Sequence, residues 1–127
     1  MNLLLDTTVL IDVLRRRNDR PAWLAQLAES GHQLTTSAIC VGEVHAGMRP
    51  GEEARAQGLL ASIPCYPVSA TIAAKAGDIR AEWSRRGITL TLTDMLIAAT
   101  ALEHGLALVT DNRKDFPIPE LSFYPIA

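Results

Sequence analysis

Four acidic side chains fall where a parallel α/β sheet would gather its chemistry, and a fifth lies on a helical stripe. Asp6 directly follows the apolar run Leu3-Leu4-Leu5, and Asp111 and Asp115 follow the run "LALVT" at 106–110. Asp94 opens "TDMLIAATA", a helix apolar almost all the way round. A first-turn acid complements the helix dipole and is common in itself. Ligands of open α/β sheets, however, bind beyond the carboxyl ends of the strands, and these distant segments carry their acids to that one rim. Glu43, in "SAICVGEVHAGM", lies four residues after Ile39 and three after Cys40, on the same helical stripe. A carboxylate on a core-facing stripe must be paired, protonated or bound to a cation.

Carboxylates crowded in this way repel one another and raise each other's pKa, and a divalent cation resolves the conflict. Donors that are all oxygen suit Mg²⁺ or Mn²⁺. His32, His45 and His104 fall in separate segments without ligand spacing. Cys40 and Cys65 sit in apolar contexts and read as two buried, reduced thiols. Magnesium held by several acids fits phosphodiester cleavage, because the ion acidifies a water and stabilises the leaving oxygen.

The elements that must position these acids alternate. "NLLL" (2–5) reads as a buried strand, and a helix runs from Thr7 to Arg16. A second helix spans 21–30, with Pro21 at its start and Gly31 after its end. A short strand at 32–36 leads to Ser37, which caps a helix broken by Pro50-Gly51. A helix at 51–62 and a short extended run at 65–69 follow. Ser69 opens an amphipathic helix on which Ile72, Ala76, Ile79 and Trp83 share a face, and Gly87 ends it. The helix from Thr93 to His104 closes at Gly105, and 106–110 is a buried strand. "LSFYPI" adds an edge strand, since Pro125 cannot donate to a ladder. Strands separated by helices predict a parallel three-layer α/β sheet.

A chain of 127 residues, 48% hydrophobic, is the size of one globular domain, here 1–127. No apolar run reaches the roughly 18 residues of a membrane span. The N-terminus "MNLLLDTTVLID" lacks a basic region and carries two acids, so it does not read as a signal peptide. The expectation is a cytoplasmic protein with no membrane partner. A net charge of −2 excludes a global positive field for nucleic acid. Arg15, Arg16, Arg17 and Arg20 form one basic cluster, with smaller ones at Arg85/Arg86 and Arg113/Lys114. Arg113 and Lys114 share a loop with Asp111 and Asp115, where they could meet phosphate groups, although such clusters are more often solvated surface.

"LLLDTTVLIDVLRR", Glu43 in a helix after "TTSAI", and "TLTDMLIAATALEHGLALVTDNRKDF" with a short closing strand resemble the PIN-domain ribonucleases, and among them the VapC toxins of bacterial toxin–antitoxin modules. The resemblance covers nearly the whole chain and is most specific from Thr91 to Phe116. It implies a PIN-like α/β/α fold with a parallel sheet of about five strands. It implies Mg²⁺- or Mn²⁺-dependent endoribonuclease activity on structured RNA such as tRNA or ribosomal RNA, a cognate VapB-type antitoxin, and a homodimer. The first three family acids fall on Asp6, Glu43 and Asp94. Asn112 occupies the usual position of the fourth, so that role passes to Asp115 or to Asp111. Thr7, Thr8 and Thr110 are placed to orient ligands or waters, while Asp12 reads as a solvent-facing acid. Three rivals differ in class. A degenerate PIN module would bind RNA or a partner without cleaving, and Asn112 keeps that reading open. A phosphatase with Asp6 as nucleophile would carry a second Asp where this chain has Thr8. A receiver domain would need a Lys after a late strand, whereas Lys114 shares its loop with Asp115.

Overall fold

The computed structural model describes residues 1–126. Ala127, the last residue of the expected domain, lies outside the described residues. The order of elements is β1 (Asn2–Leu5), α1 (Thr7–Arg15), α2 (Arg20–Glu29), β2 (Gln33–Ser37), α3 (Ala38–Ala46), α4 (Glu53–Ala61), β3 (Cys65–Tyr66), α5 (Ala70–Arg85), α6 (Leu92–His104) and β4 (Ala107–Val109), followed by a 3-10 turn at Arg113–Asp115.

Among the described residues, four strands form a sheet in the order β3-β2-β1-β4, every neighbour parallel. Parallel neighbours need crossover connections, and the intervening helices supply them. Successive side chains of a strand point to opposite faces. Leu3, Leu4 and Leu5 are nonetheless all 0% exposed, so both faces of β1 are covered and the sheet lies between helical layers. Leu3 is aligned with Leu34 of β2 and Ala107 of β4, which fixes the register on both sides of β1. The hydroxyls of Thr35 and Thr36 donate to the carbonyls of Leu3 and Leu5 (2.7 and 3.0 Å), so buried polar groups of β2 are satisfied by β1.

Helix α6 is buried through Met95, Ile97, Ala98, Ala99, Thr100 and Ala101. Its one buried hydroxyl, on Thr100, donates to the Leu96 carbonyl (2.8 Å). Gly105 closes the helix in the left-handed region, φ 64°.

Several expectations need correction. The sheet, with four strands among the described residues, stands close to the expected five, and the expected edge strand in "LSFYPI" is what falls short. The closing segment makes a single parallel bridge between Phe123 and Leu108, with Leu108 N–H donating to Ser122 O and Tyr124 N–H to Leu108 O. Pro125 has no N–H to carry the ladder further. Helix α6 begins at Leu92 and is capped by Thr91, so Thr93, expected as its start, lies within its first turn. Cys40 is buried as expected, but Cys65 is exposed, because β3 is a two-residue strand on the sheet edge. The basic cluster is divided. Arg15 donates to Glu52 and to Gly47 O, Arg20 is buried, and Arg16 and Arg17 remain at the surface.

Leu4 touches the core from the middle of β1 with no solvent contact, so Leu4→Ala leaves a void with little room to collapse. It should cost about 2–5 kcal/mol, seen as a lower denaturant midpoint at unchanged slope.

Candidate active site

The ends of β1 and β4 are stitched together by Asp6 N–H, which donates to Val109 O at 3.0 Å. That bond brings Asp6, the residue after β1, beside Thr110, the residue after β4. Asp6 is also the N-cap of α1, with extended φ −70° and ψ 162°. Its Oδ1 accepts from Thr7 N–H at 2.8 Å and its Oδ2 from the Thr110 hydroxyl at 2.7 Å. Thr110 Oγ1 in turn accepts from Asn112 N–H at 3.0 Å. The carboxylate is therefore held at both oxygens, and it is buried, only 6% exposed.

Glu43 reaches the same place from α3. The Thr7 hydroxyl donates to its Oε1 at 2.6 Å, so one threonine orients two acids, one through its backbone and one through its side chain. Thr8, the next residue, has a buried hydroxyl with no hydrogen-bond partner among the described residues. A polar group left in that state at the start of α1 is open to a water or a ligand.

Asp94 is set by a cap at the start of α6. Thr91 Oγ1 accepts from Asp94 N–H at 3.1 Å, which fixes the first turn and turns the Asp94 side chain toward the others. The pattern Thr91-x-x-Asp94 is a capping-box signature legible in the sequence, and it places the helix start earlier than the expected Thr93. Asp115 comes from the 3-10 turn after β4, where Asp115 N–H donates to Asn112 O at 2.9 Å.

These four acids act on one another. Burial pushes the Asp6 carboxyl above its ordinary value, the hydrogen bonds from Thr110 and Thr7 pull it back, and the charges of Asp94 and Glu43 raise it further. Asp94 is raised first by burial, against the help of Thr91, and then by the charges of Asp115 and Glu43. Asp94 is thus the acid that feels or acts on all the others. Among the described residues, no three acidic, histidine or cysteine side chains form a ready-made metal cage. The set is all oxygen, anionic and self-repelling. It fits a hard cation that retains several waters, the habit of Mg²⁺, rather than one that demands a full shell of protein ligands.

Asp111 belongs to a different interaction. Its Oδ1 accepts from Arg20 Nη2 at 2.7 Å. Arg20 is 4% exposed, faces the Trp23 ring, and also reaches Asp12 Oδ2 at 3.5 Å. Asp12 accepts in addition from Asn18 Nδ2 at 3.0 Å. It is a partner of this buried guanidinium and not the solvent-facing acid its spacing suggests. Lys114 and Asp115 line one cleft with Asp94. Arg113 turns away, its guanidinium 5.0 Å from the Phe123 ring. His32 and His104 pack against Tyr124 and Tyr66 respectively.

The profile of the PIN domain matches residues 3–118, and the chain belongs to that family. Ribonuclease VapC10 of Mycobacterium tuberculosis is 36% identical over 125 residues, covering 98% of this chain and 93% of that protein. Ribonuclease VapC19 of the same organism is 33% identical over 121 residues, covering 93% of this chain and 95% of its own. Among solved structures, VapBC2 from Rickettsia felis bound to a promoter DNA fragment superposes with a TM-score of 0.81 at 25% identity, covering 98% of both chains. A toxin-antitoxin complex from Klebsiella pneumoniae gives 0.76 at 33% identity, covering 98% of this chain and 99% of the other.

Two neighbouring acids should respond to neutralisation with opposite signs. The folded-state pKa of Asp94 is raised, so the group detracts from stability above its ordinary value of 3.8, fully once pH exceeds the raised value. In metal-free buffer Asp94→Asn should therefore raise the melting temperature at pH 7, with the gain vanishing as pH falls to about 3.8. Asp111→Asn should lower it, because a buried guanidinium loses its 2.7 Å ion pair. Thermal melts in EDTA across this pH range check both.

Proposed function

We propose that this chain is a metal-dependent endoribonuclease, folded as one PIN domain over 1–127, and the toxin of a type II toxin–antitoxin pair. One observation carries the proposal: a buried Asp6 is held at the carboxyl end of a parallel sheet with the charges of Glu43 and Asp94 against it. Such a cluster is costly unless a cation is bound there. The relatives named ribonucleases, and the toxin–antitoxin complexes of the same fold, support the reading of RNA as substrate and a VapB-type antitoxin as partner. We extend it to a homodimer acting in the cytoplasm on structured RNA such as tRNA or ribosomal RNA. Among the described residues, no helix is long and apolar enough to cross a membrane.

Asp6, Glu43, Asp94 and Asp115 would hold Mg²⁺ or Mn²⁺, with Asp115 rather than Asp111 as the fourth acid, since Asp111 is engaged by Arg20. When bound, the metal supplies an acidified water for attack on phosphorus and stabilises the oxygen that leaves. The protein's own part is positional. Thr110 and the Thr7 N–H keep Asp6 from turning away from its neighbours, and the Thr7 hydroxyl does the same for Glu43. Asn112 contributes its backbone N–H, which holds Thr110 in place to serve Asp6. Lys114, in the cleft with Asp94, holds a phosphate oxygen of the strand, and Arg113 holds a flanking phosphate from beside Phe123.

RNA cleavage should require Mg²⁺ or Mn²⁺ and stop in excess EDTA, and persistence there would sink the metal reading. Asp6→Asn and Asp94→Asn should each lower turnover by at least about a hundredfold, beyond the 10–100-fold typical of residues that only support ligands. Asp115→Asn should cost more than Asp111→Asn, and the reverse ranking would move the fourth ligand. Metal binding by calorimetry with no RNA cleavage under any condition would leave a binding module instead.

The basic pair is tested by salt. Lys114→Ala and Arg113→Ala should weaken RNA binding and reduce the slope of log K against log salt by about 1 each, leaving the cleavage site unchanged. An unchanged slope would return the residue to ordinary surface.

A further inference from the structure

Beside Asp94 a cleft of about 230 Å³ opens between two loops. One wall is the segment 88–91 between α5 and α6, and the other is Lys114, Asp115 and Pro117. It is smaller than the roughly 300 Å³ at which sites for drug-sized ligands begin, and suits a single planar ring system. Both walls are built before any ligand arrives. Gly87, at φ 81°, turns the chain out of α5, and Ile88 N–H donates to Trp83 O at 3.0 Å. Arg80 Nε donates to Leu90 O at 2.9 Å, and Thr91 is fixed as the cap of α6. Opposite, Phe116 N–H donates to Arg113 O at 2.9 Å while the Phe116 ring is buried, anchoring Pro117.

The lining is mixed in a particular way. Asp94 and Asp115 stand at the acidic side, and Lys114 adds a cation. Ile88 and Pro117 supply apolar surface, and Ile88 remains 43% exposed. Leu92, 47% exposed, follows on the first turn of α6, so two of the three exposed large hydrophobics among the described residues flank this loop. Single exposed apolar residues are ordinary. Here they adjoin a preformed cleft that runs into the acids, and the exposed Thr89 lies in its wall.

We propose that this cleft is a nucleobase subsite. It takes the unstacked base of a nucleotide next to the cut bond, with Ile88 and Pro117 against the ring faces and the Thr89 hydroxyl on the base edge. Lys114 meets the attached phosphate and leads it to the acids. RNA is read through such splayed bases, because the grooves of its helices hide their edges. The proposal rests on the nuclease reading above and adds to it the element that selects the position of the cut.

The test uses the full-length chain with Ile88→Ser and Thr89→Ala, both at exposed or partly exposed positions, with melting curves as the control for folding. A random-sequence RNA library is cut in Mg²⁺ and the new ends are sequenced. Wild type should show a base preference at one position beside the cut, and each variant should flatten it. An oligonucleotide carrying the preferred site is then compared, in EDTA, with the same oligonucleotide abasic at that position. Wild type should bind the abasic form about tenfold more weakly, and Ile88→Ser should lose that difference. If wild type cleaves RNA but both variants keep its preference and its abasic penalty, the subsite is overturned while the nuclease reading stands. If the variants keep both and instead escape inhibition by the cognate antitoxin, the cleft belongs to the antitoxin and the proposal is also overturned. Failure of wild type to bind or cut any RNA removes the nuclease reading itself.

Discussion

Asp6 is a buried carboxylate that two other carboxylates push against, and the surrounding structure is arranged to keep it there. Desolvation alone would favour its protonated form or its escape to water. Escape is blocked because each oxygen has its own donor, one from the first peptide of α1 and one from the residue after β4. The Thr7 donor is local, whereas the Thr110 donor depends on the β1–β4 pairing, whose last rung is Asp6 N–H donating to Val109 O. The three leucines before it, closed off from water on both faces, set the end of β1 within the core. Repulsion among the acids therefore persists as a property of the folded chain, available to be relieved by whatever cation binds.

The same rim shows how like acids are given different tasks by their neighbours. Asp111 and Asp115 are four residues apart on one loop. Asp111 meets a buried guanidinium from α2 and serves to fix the loop, while Asp115 meets no such partner among the described residues and raises the pKa of Asp94. Lys114 lines the cleft with Asp94 and Asp115, and Arg113 stacks on Phe123, so adjacent cations also part ways. The tightness of the 3-10 turn divides these side chains, since residues in so short a turn point in widely different directions.

Regular elements and short loops share the work of placing the acids in this PIN domain. Asp6, Glu43 and Asp94 are tied down by threonines at the starts of α1 and α6, whereas Asp115 lies in the 3-10 turn that, with the segment 88–91, walls the cleft beside Asp94.

Local pattern was enough to reveal the strands, the helices, most caps, and the convergence of Asp6, Asp94 and the 111–115 loop on one edge, because periodicity and chain direction fix those. Glu43 on its stripe with Cys40 was visible for the same reason. Pairings between distant segments were not. Thr110 reaches Asp6 across 104 residues, Arg20 reaches Asp111 across 91, and Thr7 reaches Glu43 across 36. Four arginines close in sequence look like one basic cluster until α2 folds Arg20 inward and α4 brings Glu52 to Arg15. Asp12 looked solvated and Cys65 looked buried on local context alone, and each was reversed by what the fold placed beside it. Residue type and local order determine which groups can ionise, cap or bond. Which of them meet is decided by tertiary packing, because burial and charge pairing depend on distances in space that one-dimensional spacing does not contain.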